Sequence, residues 1–276
     1  MQPLLRDEKL QAELEETGFV VLDAISDEVV EQLRVAYANT RPAVESDSFF
    51  TTTLSNDVEY RKRVNSSMLE ILTDALDNVF VNHLPVYGNF MVKPSGDNKT
   101  TCQLHQDWTY VDEERFLAVN IWIPLTDLTE QNGTLHLVPG SHKLDKRVRG
   151  RDIYWPYFDA QEYLIKTSAK PVYLKKGQPV IFIGKTFHYS PPNVSQFERV
   201  GASVVVVHKE AQLYNYYQRD NNIYRAKVDC NYFVEHGIYS LDFYKELEPE
   251  FFADAEDYKR EANISVIQSA NTQLSF

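Results

Sequence analysis

The chain has little cysteine, no long apolar run and no surplus of basic residues, and each shortage removes a class of protein. Two cysteines, Cys102 and Cys230, in 276 residues cannot build a disulfide framework, and nothing suggests an oxidising compartment. The longest strongly apolar stretch, around Val200–Val207, falls far short of the roughly 20 residues a membrane-spanning helix needs. Met1–Leu10 lacks the basic segment followed by an apolar one that marks a secretory signal. Lysine and arginine number 28 against 40 acidic residues, and the net charge of -12 argues against nucleic acid and anionic membranes as partners. No internal repeat or low-complexity block interrupts the chain. The expectation is a cytoplasmic protein that binds neither nucleic acid nor membrane.

What is present supports a substantial core. A hydrophobic content of 43% with 25% charged residues reads as one large ordered domain. Phe19–Leu22 is a short buried-strand candidate. Ser26 reads as an N-cap, with Asp27 and Glu28 in the first turn of a helix that runs to about Ala38. Ala43–Asp57 is polar and aperiodic, carries Phe49-Phe50 and three threonines, and is expected to be a long loop of the kind that forms lids. Leu69, Leu72, Leu76 and Val79 recur at spacings of three and four, which predicts a second amphipathic helix ending near Phe80.

From Val86 the period changes. Asn89–Val92, Leu117–Ile123, Thr134–Val138, Pro171–Leu174, Pro179–Ile183 and Val200–His208 read as short strands. Pro94-Ser95-Gly96-Asp97, Asn132-Gly133, Pro139-Gly140-Ser141 and Pro191-Pro192-Asn193 punctuate them. Repeated strands without intervening helices predict an antiparallel barrel or jelly roll. The tyrosine-rich tail from Leu213 ends in a charged segment near Glu248–Glu261 that is expected to be helical. These readings divide the chain into a helical part at about 1–82, a β core at about 85–210 and an extension at about 211–276.

The chemistry centres on His105-Gln106-Asp107. Side chains at i and i+2 of a strand share a face, so His105 and Asp107 can hold one metal ion. His188 arrives 83 residues after His105, beyond the apolar strand Val180–Ile183 and before the breaker Pro191-Pro192. That position is the mouth of a barrel, where ligand sites form. A third imidazole would complete a 2-His-1-carboxylate face with three open positions, which suits non-heme Fe(II) binding a co-substrate and O2 together. A His-x-Asp pair alone is weak, because His105 reads equally as a strand histidine and Asp107 as the start of a turn. Of the seven histidines, His136, His142 and His208 compete with His188 for the third position. Arg199 stands eleven residues after His188, on the expected partner strand of a hairpin. Pointed inward it would need an anion, since an unpaired buried charge costs several kcal/mol, and its planar guanidinium matches a carboxylate. Pointed outward it would pair with Glu198. Both readings stand at this point.

Leu104-His105-Gln106-Asp107, Trp122-Ile123-Pro124-Leu125, Asn132-Gly133, Pro139-Gly140-Ser141-His142 and the trio His188, Ser190 and Arg199 together resemble the phytanoyl-CoA dioxygenase family over residues 15–210. The resemblance implies a mainly β double-stranded β-helix (a cupin-like jelly roll) with N-terminal helices and a helical or irregular C-terminal extension. It implies an Fe(II)- and 2-oxoglutarate-dependent dioxygenase in which His105, Asp107 and His188 are the catalytic iron ligands. Arg199 with Ser190 would clamp the distal carboxylate of 2-oxoglutarate, with Trp122 and Lys93 beside it. O2 would then drive hydroxylation, or another oxidation, of a small-molecule metabolite, releasing succinate and CO2. Related halogenases carry a small residue where this chain has Asp107, so the carboxylate favours an oxygenase outcome. The alternatives are a cupin-like metalloenzyme that does not use 2-oxoglutarate, or a degenerate binding module on the same barrel.

The substrate is not implied, because family members act on many metabolites. Tyr110, Asp112, Phe187, Tyr189 and Phe50 are candidate pocket residues, each equally readable as core or rim. Tyr214, Tyr216 and Tyr217 either line the pocket or pack the tail onto the barrel. Aromatic faces with few basic groups favour a small amine or a neutral polar metabolite over a CoA ester, whose phosphates want arginine and lysine clusters. The expected partner is a small molecule, and the expected state a monomer or homodimer.

Overall fold

Alternation along one strand explains most of the architecture. In Arg199–His208 every residue is buried, yet the two faces meet different neighbours. Val200, Ala202, Val204 and Val206 join the cluster formed with the N-terminal helices. Arg199, Gly201 and Ser203 point the other way, toward a second sheet. Neighbouring strands repeat the pattern, with Val119, Ile121 and Ile123 against the helices and Trp122 in a separate apolar cluster inside. A sheet covered on both faces loses its polar/apolar alternation, so its strands read as unbroken apolar runs.

In the computed structural model, residues 1–40, 47–96, 98–237 and 247–259 are described. Helix α1 (Glu8–Thr17) starts at Asp7, whose carboxylate caps Lys9 and Leu10. It leads through β1 (Phe19–Val21) to α2 (Asp27–Asn39), where Ser26 caps Val29 as the sequence predicts. After β2 (Phe50–Thr51), α3 runs over Val58–Val79, capped by Asp57 and starting eleven residues before the leucine repeat. Then come β3 (His83–Lys93), β4 (Cys102–His105), β5 (Ala118–Pro124) and β6 (Leu135–Leu137). Helix α4 (Gln161–Thr167) precedes β7 (Lys170–Val172), β8 (Val180–Ile183), β9 (His188–Ser190) and β10 (Arg199–His208).

Two antiparallel sheets face each other as a jelly roll, ordered β1-β8-β5-β10-β3-β2 and β4-β9-β6-β7. One consequence corrects the hairpin expected between His188 and Arg199. Strand β9 pairs with β4 and β6, whereas β10 pairs with β3 and β5, so residues 191–198 cross from one sheet to the other. His188 and Arg199 therefore reach the interior from opposite walls.

The tail is a second correction. Strands β11 (Leu213–Arg219) and β12 (Asn222–Val228) form a hairpin, α5 (Cys230–Glu235) follows, and β13 (Glu250–Asp254) pairs with β12. The segment expected to be helical near Glu248–Glu261 is thus strand, then a 3-10 turn at Ala255–Tyr258, with 260–261 outside the described residues. Tyrosine and phenylalanine favour a pleated surface, and cross-strand pairing outweighs the local charge pattern. Among the described residues no helix is long and apolar enough to cross a membrane.

Candidate active site

The two histidines meet because β4 and β9 pair antiparallel, with His105 directly opposite His188 and Cys102 opposite Ser190. Their rings lie 4.1 Å apart between centroids. His105 is the last residue of its strand, so Asp107 reaches the same point from the loop beyond rather than by strand alternation. That loop is pinned on both sides: the Asp107 N–H donates to the Gly184 carbonyl at 2.7 Å, and Arg149 Nε donates to the Asp107 carbonyl at 2.7 Å. Arg149 is itself held by two hydrogen bonds to Glu113. Asp107 Oδ1 then lies 3.9 Å from His105 Nε2 and 3.6 Å from His188 Nε2. One ligand atom from each residue lies within 4.8 Å of the others, a spacing a single metal ion can bridge.

Hydrogen bonding sets both imidazoles for coordination. His105 Nδ1 is 2.7 Å from the Gln103 carbonyl and His188 Nδ1 is 2.9 Å from the Thr186 carbonyl. A carbonyl only accepts, so each Nδ1 carries a proton and Nε2 is the atom a metal would take. Against its burial, neighbouring Cys102 and Asp107 push His105 up to about 9, so a metal binding there would displace a proton. Burial, with the charge of neighbouring His105, pushes His188 down to about 4, which leaves its imidazole neutral near pH 7.

Arg199 and Trp122 form the opposite wall. The Arg199 guanidinium donates from Nη1 to the Gly133 carbonyl at 2.7 Å, while its buried Nε has no partner. No carboxylate pairs with it among the described residues, and burial pushes its pKa down to about 10. It sits 5.2 Å from the Trp122 ring. The indole in turn lies against Gly201, where an added Cβ would stand 2.4 Å from the ring. The cavity between the walls measures about 340 Å³ and is bounded by His105, Asp107, His188, Ser190, Arg199 and Trp122 among others.

The description of the phytanoyl-CoA dioxygenase family matches residues 14–201, more than half of the chain. The chain belongs to that family. Among its relatives is phytanoyl-CoA dioxygenase 1 of Oryza sativa subsp. japonica, 34% identical over 109 residues that cover 38% of each protein. This phytanoyl-CoA dioxygenase family chain spans less than half the length of the curated relatives it matches. Its fold is similar to the non-heme α-ketoglutarate-dependent carbocyclase SnoK of nogalamycin biosynthesis, with TM-score 0.51, 20% identity, and coverage of 75% and 86%. It is also similar to the epimerase SnoN, solved with Fe3+, α-ketoglutarate and nogalamycin RO, with TM-score 0.51, 18% identity, and coverage of 75% and 85%.

The remaining candidate residues divide between the cavity and its surroundings. Lys93 is fully buried and its ammonium donates to the carbonyls of Thr100, Ser190 and Pro191 rather than lining the cavity. Burial and adjacent Arg199 push its pKa down to about 7. It ties the end of β9 to the segment before β4. Phe50 pairs with Val92 and faces the helices, while its neighbours Phe49 and Thr51 line the cavity, a one-residue difference in parity. Phe187 packs on Tyr157 at 4.7 Å and does not line the cavity. Asp112 caps the turn at Glu114. Tyr110 does line the cavity, its hydroxyl 2.7 Å from that of Tyr87, and Tyr189 lines it beside His136. Tyr216 and Tyr217 pack within the tail sheet, against Phe252 and Tyr224.

The rival histidines are engaged away from the His105–Asp107–His188 cluster. His136 meets the Thr134 carbonyl and Tyr189, His142 the Glu15 carbonyl, and His208 stacks on Phe116. Sequence reasoning missed Asn89, Asn120 and Ser203. The signal was there: Asn120 interrupts the apolar run of β5 two residues before Trp122, and Ser203 is the lone hydroxyl in Val200–Val207.

Proposed function

We propose that the chain is an Fe(II)- and 2-oxoglutarate-dependent dioxygenase that hydroxylates a small, uncharged metabolite with release of succinate and CO2. The observation that carries this reading is Arg199, a buried cation with no carboxylate partner among the described residues. It opens on the same cavity as the His105–Asp107–His188 set. A metalloenzyme without an anionic co-substrate would leave that charge uncompensated, and a degenerate module would keep no reason for three correctly presented ligand atoms.

The donor set fits the group. Two imidazoles, each with Nδ1 turned to a backbone carbonyl, and one carboxylate form a face suited to non-heme iron with open positions. Bound iron, with 2-oxoglutarate and O2, would supply the oxidising chemistry. The chain's own residues supply binding and order. Arg199, with Ser190 close by, would take the distal carboxylate in a charge-assisted pair. Trp122, backed by Gly201, would fix the plane beside it. Phe49, Leu54, Tyr87, Asn89 and Tyr110 would enclose the substrate and exclude water.

The same walls narrow the substrate. Asp107 is the sole carboxylate lining the cavity among the described residues, and it serves the metal. An ammonium substrate would find no second carboxylate there, and a polyphosphate no basic cluster, which favours the neutral half of the expectation. The test is succinate release from 2-oxoglutarate with Fe(II) and a panel of neutral, cationic and CoA-linked compounds. Stimulation by neutral compounds is expected; no 2-oxoglutarate turnover under any condition would overturn the reading.

A further inference from the structure

A metal-binding carboxylate has two oxygens, and the number it commits decides how many positions remain on the ion. Asp107 Oδ1 faces both His105 Nε2 and His188 Nε2, whereas Oδ2 faces away, 3.3 Å from Asn120 Nδ2. Asn120 is 3% exposed and sits on the inner face of β5, two residues from Trp122. A carboxylate can only accept, so the amide nitrogen must turn toward Asp107 and Asn120 Oδ1 must turn the other way. There it accepts a hydrogen bond from Ser203 Oγ on β10, a residue fully removed from solvent. The three groups form a one-directional relay from buried Ser203 through buried Asn120 to Asp107 at the cavity wall.

We propose that Asn120, held in orientation by Ser203, is a positioning residue that occupies Asp107 Oδ2 and commits Asp107 to one-oxygen coordination through Oδ1. The inference rests on the assignment of His105, Asp107 and His188 as metal ligands. Its consequence is functional. A 2-His-1-carboxylate face with a one-oxygen carboxylate keeps three positions open, two for the α-keto acid end of 2-oxoglutarate and one for O2. A carboxylate that swung to chelate through both oxygens would consume one of the three. The relay thus protects an open position, a task distinct from holding the fold together.

The test needs no substrate. Co(II) is titrated anaerobically into the full chain, as wild type, Asn120→Leu, Ser203→Ala and the double variant, with the visible Co(II) spectrum as the readout. Removing an outer partner of a ligand typically weakens metal affinity by about 10–100-fold, which is the expectation for Asn120→Leu, together with a changed Co(II) spectrum. Ser203→Ala should weaken binding less in the wild-type background and not at all in the Asn120→Leu background, because it acts through Asn120. Thermal unfolding of the metal-free variants checks the fold, and Asn120→Ala replaces Asn120→Leu if the larger side chain prevents folding. Wild-type affinity and spectrum in a folded Asn120 variant would overturn the relay. So would a Ser203→Ala effect that simply adds. If instead Asp107→Ala binds Co(II) as tightly as wild type, the ligand assignment itself fails.

Discussion

Replacing Arg199 by Met should move stability and co-substrate binding in opposite directions. In the folded chain the guanidinium is buried with one carbonyl partner, an unpartnered Nε and no neutralising carboxylate among the described residues. Its pKa falls from 12.5 to about 10, which converts at 1.36 kcal/mol per unit to a penalty on the order of 3 kcal/mol against the buried charge. Methionine fills similar volume without charge. The ligand-free variant should therefore be as stable as wild type, or more stable by about 1–3 kcal/mol. Truncating one partner of a buried charged pair costs ~2–5 kcal/mol, so 2-oxoglutarate should bind at least thirtyfold more weakly. The assay is thermal unfolding with metal present, without O2, over a 2-oxoglutarate series. Wild type gains about 2.7 kcal/mol at a hundred times its Kd, and the variant should gain about 0.9 kcal/mol or less at that concentration. A variant that loses several kcal/mol yet keeps the full ligand-induced shift would refute the reasoning. Arg199 would then be a structural partner of Gly133 alone.

Gly201→Val would place carbon where the Trp122 indole now lies, so the ring must move. The 2-oxoglutarate requirement should rise while Co(II) affinity stays near wild type; unchanged co-substrate dependence would argue against a role for the indole. Lys93→Met strands three carbonyls, of Thr100, Ser190 and Pro191, and should destabilise the fold by about 1–3 kcal/mol in urea unfolding. Its effect on 2-oxoglutarate affinity should be smaller than that of Arg199→Met; a larger effect would return Lys93 to the co-substrate site. Burial pushes His142 from 6.5 down to about 4, so between those values the unfolded chain binds a proton that the native chain refuses. Stability should fall as pH drops through this window, by about 3 kcal/mol at most from this residue, and His142→Leu should flatten that part of the curve.

How much of this was legible in the sequence depended on burial. Strand positions were readable because Val180–Ile183 and Val200–His208 are apolar runs, and runs need no partner to be seen. Facing was not readable, because both sides of the six-stranded sheet are covered and the two-residue period vanishes. Hence Phe50 stood as a pocket candidate where Phe49 and Thr51 line the cavity, and the inward turn of Arg199 stayed open. Helix α1 was missed, its apolar positions sparse, although Asp7 is a recognisable cap. The separation of β9 from β10 depends on long-range pairing with β4 and β3, which no local pattern encodes. The cluster of His105, Asp107 and His188 was legible because the His-x-Asp pair, weak alone, is followed by a histidine at a strand end. Asn120 and Ser203 announced themselves only as polar residues in apolar strands, a signal that becomes meaningful once Asp107 is seen beside them.

The central claim is that His105, Asp107 and His188 hold one iron and Arg199 holds one 2-oxoglutarate in the same cavity. The most direct measurement is an anaerobic titration of Fe(II) and then 2-oxoglutarate, following the visible charge-transfer band that forms when the α-keto acid chelates the metal. The account predicts saturation at one equivalent of each, no band in Asp107→Ala, and a band in Arg199→Met only at much higher 2-oxoglutarate. No band in the wild type, or an undiminished band in Asp107→Ala, would contradict it.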